Sequence, residues 1–235
     1  TPGGSSSGSA VGVSSGMFPI ALGTQTAGSV VRPASYNGVV GFKPTFGLIS
    51  RYGIMPFAWS LDTAGVFGRW VDDVIMVFGQ LAKYDKRDSS SVGISGEINI
   101  CSKTPKRIGI MPELIGMADH ETRNDFLKII DKLSDDGVNI VEIDSGVAIE
   151  DLLHAHKVVM SSEVASLHKD KYESQCNNYG DNIRNLIEMG MVTSSAHYIK
   201  SQRVRNKFVS AMKNQFSRVD IVLTPTTPKP APRDL

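Results

Sequence analysis

The chain has 235 residues, 41% of them hydrophobic and 21% charged, and 25 basic against 24 acidic side chains leave a net charge of +1. That composition is ordinary for a soluble globular protein with one core, and basic and acidic residues mixed throughout leave no electrostatic footprint that argues for nucleic acid or an anionic membrane surface. No apolar run reaches the roughly 20 residues that span a bilayer, so the expected partner is a small molecule rather than a membrane or a nucleic acid.

Residues 5–17, nearly all Ser, Gly, Ala and Val, predict a helix held by burial rather than by propensity. Residues 18–22 and 38–42 read as short buried strands, with Pro33, Pro44 and Gly47 punctuating the turns. A loop containing Arg51, Tyr52 and Gly53 follows. Over 71–81, Val71, Val74, Ile75, Phe78 and Leu81 recur at three-and-four spacing, which predicts an amphipathic helix, with Asp72 and Asp73 where its dipole favours them. The polar, serine-rich stretch 85–106 reads as a connection between subregions.

Beyond it, 107–111 is a predicted strand, 119–133 a helix with Phe126, Ile129, Ile130 and Leu133 on one face, and 138–143 a second strand, together a β-α-β unit. Helices over 148–172, 181–189 and 195–216 precede a last strand, 220–224, stopped by Pro225 and Pro228. The alternation predicts an α/β fold: a mixed, largely parallel sheet covered by helices on both faces.

Cys101 and Cys176 lack C-x-x-C spacing and read as free thiols of a reducing, cytoplasmic compartment, with no zinc site. His154 and His156 stand two apart on a predicted helix and point to different faces, unlike metal ligands. The chain opens on Thr1-Pro2 without Met and ends just past a proline-rich stretch, so the expectation is a piece of a longer polypeptide.

Two loops carry the chemistry, Gly3-Gly4-Ser5-Ser6-Ser7-Gly8-Ser9 and Gly23-Thr24-Gln25-Thr26-Ala27-Gly28-Ser29. Small residues before Ser29 let successive backbone N–H groups approach one point, as an oxyanion beside a nucleophile requires. A serine of the first loop can then sit beside Ser29 and pass its proton onward. Val11, Val13, Met17 and Phe18 argue against a flexible linker. No phosphate-cradle pattern is present, and Ser29 lies in A-G-S-V-V rather than in a G-x-S-x-G elbow. Ser6, Ser7 and Ser9 read as packing hydroxyls.

The blocks Pro2 to Ala10, Ala21 to Ser29, Arg32-Pro33-Ala34, Gly38 to Thr45, Trp59-Ser60-Leu61-Asp62 and Leu223 to Pro228 span nearly the whole chain, and through them it resembles the amidase signature enzymes. The resemblance implies a Ser–cis-Ser–Lys triad that hydrolyses amides through an acyl-enzyme, with no cofactor and no metal. Carried over by position, Ser29 is the nucleophile and Ser5 the bridging serine, reached through a cis peptide after Gly4. The N–H groups of Thr26, Ala27, Gly28 and Ser29 are the oxyanion donors. Arg32 resembles the arginine that holds a substrate carboxylate in malonamidase-like members. Trp59, Asp62 and Arg69 read as fold-holding residues.

The family's base is a lysine well upstream of the bridging serine, and no residue of this chain matches it. Lys43 falls in a structural stretch of the family. Residues 1–235 are accordingly expected to be one amidase domain fragment that lacks the N-terminal part with the lysine and a C-terminal part, and that is inactive by itself. Gln25 stands where many members have Asp, Ala27 where they have Gly, and Asn37 where they often have Cys; the first two resemble small-molecule amidases. The expected activity is that of a stand-alone amidase acting on a small-molecule amide, with homo-oligomerisation left open. The alternative is the A component of a glutamyl-tRNA amidotransferase, with a partner subunit, whose members usually read G-G-S-I-R-Q-P where this chain has A-G-S-V-V-R-P. A third alternative is a non-catalytic relative.

Overall fold

Small residues set the geometry of the first half of the chain. A computed structural model describes residues 1–94 and 104–233, and the chain divides into two compact units, Thr1–Cys101 with Pro230–Leu235, and Ser102–Lys229. The first unit runs α1 (Ser7–Ser14), β1 (Ile20–Gln25), α2 (Val31–Asn37), β2 (Val40–Phe42), β3 (Thr63–Gly68) and α3 (Val71–Leu81). Its strands lie in the order β1-β3-β2, and both pairings are antiparallel, with Thr24 opposite Ala64 and Phe42 opposite Val66.

The central strand β3 is buried at all six positions. Sequence reading places no strand there, because Thr63, Gly65 and Gly68 interrupt the apolar run. Tight packing demands those interruptions: a Cβ on Gly65 would lie 2.7 Å from the Phe42 carbonyl oxygen. Ala10, Val13, Val30, Ala34 and Phe67 form one core cluster of this unit, and Ile49, Ala64, Val66 and Val74 form another. The strand expected over 18–22 starts two residues later and runs three residues further, so Gly23, Thr24 and Gln25 belong to β1 rather than to a loop.

The second unit holds β4 (Arg107–Ile110), α4 (Pro112–Gly116), α5 (His120–Asp135), β5 (Asn139–Glu142), α6 (Ile149–Gln175), α7 (Asp181–Met191), α8 (Ser195–Gln215) and β6 (Ile221–Leu223). Here the sheet is parallel, in the order β5-β4-β6, and β4-α5-β5 is the expected β-α-β unit. Asp119 caps α5 by accepting from the Thr122 N–H at 2.9 Å, which also lowers the Asp119 pKa. Met111, Ile143, Ile149 and Val219 pack as one cluster, and Ile110, Ile115 and Ile130 as another.

The fold is α/β, as read from sequence, but its strands are shared between an antiparallel sheet in one unit and a parallel sheet in the other. The single core expected from composition is likewise replaced by separate clusters in the two units. Cys176 is a free thiol, whereas Cys101 and part of the predicted 85–106 connection lie outside the described residues.

Candidate active site

Strand β1 delivers Gln25 to the edge of a turn, residues 26–30, that leads into α2. Gln25 is buried, and its Oε1 accepts the backbone N–H groups of Val30 at 2.9 Å and Val31 at 3.0 Å. That one acceptor satisfies two donors that the core would otherwise strand, and it folds the turn back on its own stem. Among the described residues, no acceptor takes the amide hydrogens of Thr26, Ala27, Gly28 or Ser29.

A second anchor comes from far along the chain. Thr26 Oγ1 donates to Asp62 Oδ1 at 2.6 Å, while Asp62 Oδ2 accepts from the N–H groups of Phe57 at 2.6 Å and Ala58 at 2.9 Å. Asp62 is only 7% exposed, so its charge is held by these donors rather than by solvent. Arg51 Nη1 in turn donates to the carbonyls of Trp59 and Asp62 at 2.8 and 3.2 Å. Its guanidinium lies 4.6 Å from the Phe46 ring centroid and 4.9 Å from that of Trp59. Beside Thr26 opens a cavity of about 280 Å³, walled by Thr24, Thr63 and the apolar side chains of Ile54, Met55, Phe57 and Trp59.

The first serine loop lies against this turn. Ser6 N–H donates to the Ser29 carbonyl at 3.2 Å, which brings the residue after Ser5 into contact with Ser29. The Ser6 hydroxyl donates to the Thr24 carbonyl and accepts the Thr24 N–H, both at 3.3 Å, and Ser9 donates to the Leu22 carbonyl at 2.7 Å. These serines are the packing hydroxyls expected of them, and they act on β1. Gly23 makes the approach possible, since a Cβ there would lie 2.6 Å from Ser6 Oγ.

The Gly4–Ser5 peptide bond is cis. Ser5 is exposed and Ser29 half-buried, and among the described residues no hydrogen bond joins their two hydroxyls directly. Such contacts commonly tighten only when substrate is bound.

Arg32 Nε and Nη2 both donate to the Gly4 carbonyl, at 3.0 and 2.7 Å. Asn37 Nδ2 donates to the carbonyls of Pro2 at 2.8 Å and Pro33 at 2.7 Å. Lys43 donates to the Pro44 carbonyl at 2.6 Å, and burial lowers its pKa. His154 Nε2 meets His197 Nε2 at 3.1 Å, whereas His156 is turned inward, the divergence expected for residues two apart. No group of three or more His, Cys, Asp or Glu side chains among the described residues is arranged to hold a metal ion.

The structure thus brings Ser5, Thr26, Ala27, Gly28, Ser29 and Arg32 into one region. Sequence reading does not assign Gln25 and Asp62 to that region as anchors of the turn. The available signal for Asp62 is its place in the Trp59-Ser60-Leu61-Asp62 block, but its partner lies 36 residues away.

A family model described as amidase matches residues 1–234 of the chain. The chain belongs to the amidase family. It is 34% identical over 259 residues to the A component of the glutamyl-tRNA(Gln) amidotransferase of Synechococcus sp. (strain JA-3-3Ab), a match that covers 98% of this chain and 50% of that one. A crystal structure of an amidase matches with a TM-score of 0.84 at 28% identity, over 98% of this chain and 50% of its own. The crystal structure of the corresponding glutamyl-tRNA(Gln) amidotransferase component from Thermotoga maritima matches with a TM-score of 0.81 at 31% identity, over 99% and 52%. The chain therefore spans about half the length of the curated amidase-family relatives it matches. No helix among the described residues is long and apolar enough to cross a membrane.

Proposed function

We propose that this chain carries the nucleophile, the bridging hydroxyl and the oxyanion donors of an amidase that converts a carboxylic amide to the acid and ammonia or an amine. The observation that carries the reading is the hydrogen bond from Ser6 N–H to the Ser29 carbonyl, which docks the Ser5 loop on the nucleophile turn. Ser29 Oγ attacks the amide carbon as its proton passes through Ser5 to a base outside the matched motifs. The carbonyl oxygen takes up negative charge, and the N–H groups of Thr26, Ala27, Gly28 and Ser29 stabilise it. One such donor is worth about 2.7–4 kcal/mol of barrier in a comparable hydrolase. The C–N bond breaks as the nitrogen takes the proton, the amine leaves, and water then attacks the ester carbon and frees Ser29.

The resemblance marks Arg32 for a substrate carboxylate, whereas its guanidinium is closed on the Gly4 carbonyl beside this turn. The cavity next to Thr26 supplies apolar walls for the carbon skeleton of a small amide. A fluorophosphonate tests the reading on the full-length protein, base included: mass spectrometry is expected to find one adduct, on Ser29, that Ser29→Ala abolishes. An adduct elsewhere, or none, overturns it.

A second reading is favoured by the 34% identity to the amidotransferase A component. In it the same site acts as a glutaminase that hands ammonia to a partner protein. Co-purification with that partner, together with glutaminase activity that depends on it, selects this reading; ammonia release from simple amides by the protein alone selects the first.

A further inference from the structure

The arginine expected to face substrate grips the protein's own backbone. Nε and Nη2 form the side-on fork with which a guanidinium clasps a carboxylate. In Arg32 both donate to one oxygen, the carbonyl of Gly4, at 3.0 and 2.7 Å. The backbone N–H of the same residue donates to the Gly28 carbonyl at 2.9 Å. Gly4 immediately precedes Ser5, and Gly28 immediately precedes Ser29. One residue therefore holds the peptide group leading into each of the two serines.

Helix α2 adds further contacts on the same loop. Asn37 Nδ2 ties the Pro2 carbonyl at 2.8 Å to the helix carbonyl of Pro33 at 2.7 Å. Gly3 adopts φ +73, and a Cβ there would lie 2.8 Å from the Tyr36 ring, so the backbone of the loop rests directly on the helix. A hydroxyl that relays a proton works only at the right distance and angle from its donor, and the contacts on the Gly4 carbonyl and the Ser6 N–H fix the backbone on both sides of Ser5.

We propose that Arg32 is a positioning residue that sets Ser5 relative to Ser29, with Asn37 as a second clasp, rather than a ligand for a substrate carboxylate. The inference rests on the reading of Ser5 and Ser29 as bridging serine and nucleophile. It also accounts for the amide at position 37, since a single Nδ2 with two hydrogens reaches two carbonyls at once.

The test is the rate at which ethoxy fluorophosphonate, a probe without a carboxylate, labels the intact protein and its Arg32→Gln, Arg32→Lys and Asn37→Asp variants. Thermal midpoints are measured on the same samples, together with protection of the site by succinamate and by butyramide. Labelling is expected to slow roughly 10- to 100-fold in Arg32→Gln and Asn37→Asp. Arg32→Lys, which keeps a charged donor, is expected to recover part of the rate, and the two amides are expected to keep their relative protection. Unchanged labelling with loss of succinamate protection alone overturns the proposal in favour of a carboxylate ligand. Labelling that falls only in step with the thermal midpoint, without recovery in Arg32→Lys, overturns it in favour of a purely structural role. A full-length wild-type protein that is not labelled at all defeats the hydrolase reading itself and this proposal with it.

Discussion

Thr26 and Asp62 are joined by a 2.6 Å hydrogen bond from hydroxyl to carboxylate, so the first residue of the nucleophile turn is held by the loop that leads into the central strand. The same carboxylate collects two backbone N–H groups, those of Phe57 and Ala58. A buried carboxylate with three donors is an anchor whose removal leaves all three donors unmet.

Asp62→Ala is therefore expected to destabilise the protein by about 2–4 kcal/mol, read as a lower urea midpoint at an unchanged slope. Thr26→Val removes one donor and keeps the volume, so it is expected to lose less stability, about 1–2 kcal/mol. A larger loss in Thr26→Val than in Asp62→Ala would refute this assignment.

Gln25 satisfies the Val30 and Val31 N–H groups from beneath the same turn. Gln25→Ala strands both, at an expected expense of about 1–3 kcal/mol, whereas Gln25→Glu keeps an acceptor oxygen in place and is expected to lie closer to wild type. Chemical denaturation of the two variants side by side checks the ordering.

Between α6 and α7 the backbones meet at Gly190, where a Cβ would lie 2.0 Å from the Ser161 carbonyl oxygen and 2.7 Å from the Ala165 Cβ. The obstacle is main chain, which cannot swing aside, so Gly190→Ala is expected to lose about 2–3 kcal/mol or more. Gly180→Ala, where no atom lies within 4 Å, serves as the control. Thermal midpoints that match in the two variants would contradict the close packing.

Asp220 accepts the N–H groups of Lys106 and Arg107 at 2.9 Å and pairs with the Arg107 guanidinium at 2.8 Å, clasping the starts of β4 and β6. The Arg107 side chain above all, then the two backbone donors, pull its pKa from 3.8 to about 2. Because the folded pKa is depressed, the stabilisation is complete above about pH 4 and is lost as pH falls toward 2. The difference in urea midpoint between wild type and Asp220→Asn is expected to shrink across that window, and a difference independent of pH argues against the clasp.

His156 follows the same sign at higher pH. Its Nε2 is buried without a hydrogen-bond partner among the described residues, and burial, then the charge of Arg205, lower its pKa from 6.5. The neutral form is favoured in the fold, so the protein is expected to lose stability as pH falls below 6.5, and His156→Gln to flatten that part of the curve. Thermal midpoints between about pH 7.5 and 5.5, which bracket an ordinary imidazole by roughly one unit either side, measure it.

The long amphipathic helices and the β-α-β unit are legible in the sequence because apolar spacing is a local property. Helix α3 has the boundaries its spacing predicts, Val71 to Leu81, and the predicted 107–143 unit forms a parallel pair. Strand β3 is not legible, because what selects Gly65 and Gly68 is the closeness of Phe42, Val30 and Val74, which one-dimensional spacing does not encode.

The chemistry-bearing serines divide in the same way. That Ser5 and Ser29 stand in loops of small residues is written in contiguous sequence, and with it the family. The partners of those loops were decided only by tertiary structure: Gln25 turned inward, Asp62 reached from 36 residues away, and the Arg32 fork closed on the Gly4 carbonyl oxygen. A hydrogen bond depends on distances of a few tenths of an ångström between groups remote along the chain. Residue type announces the capacity to make such a bond, and only the folded backbone selects the atom that receives it.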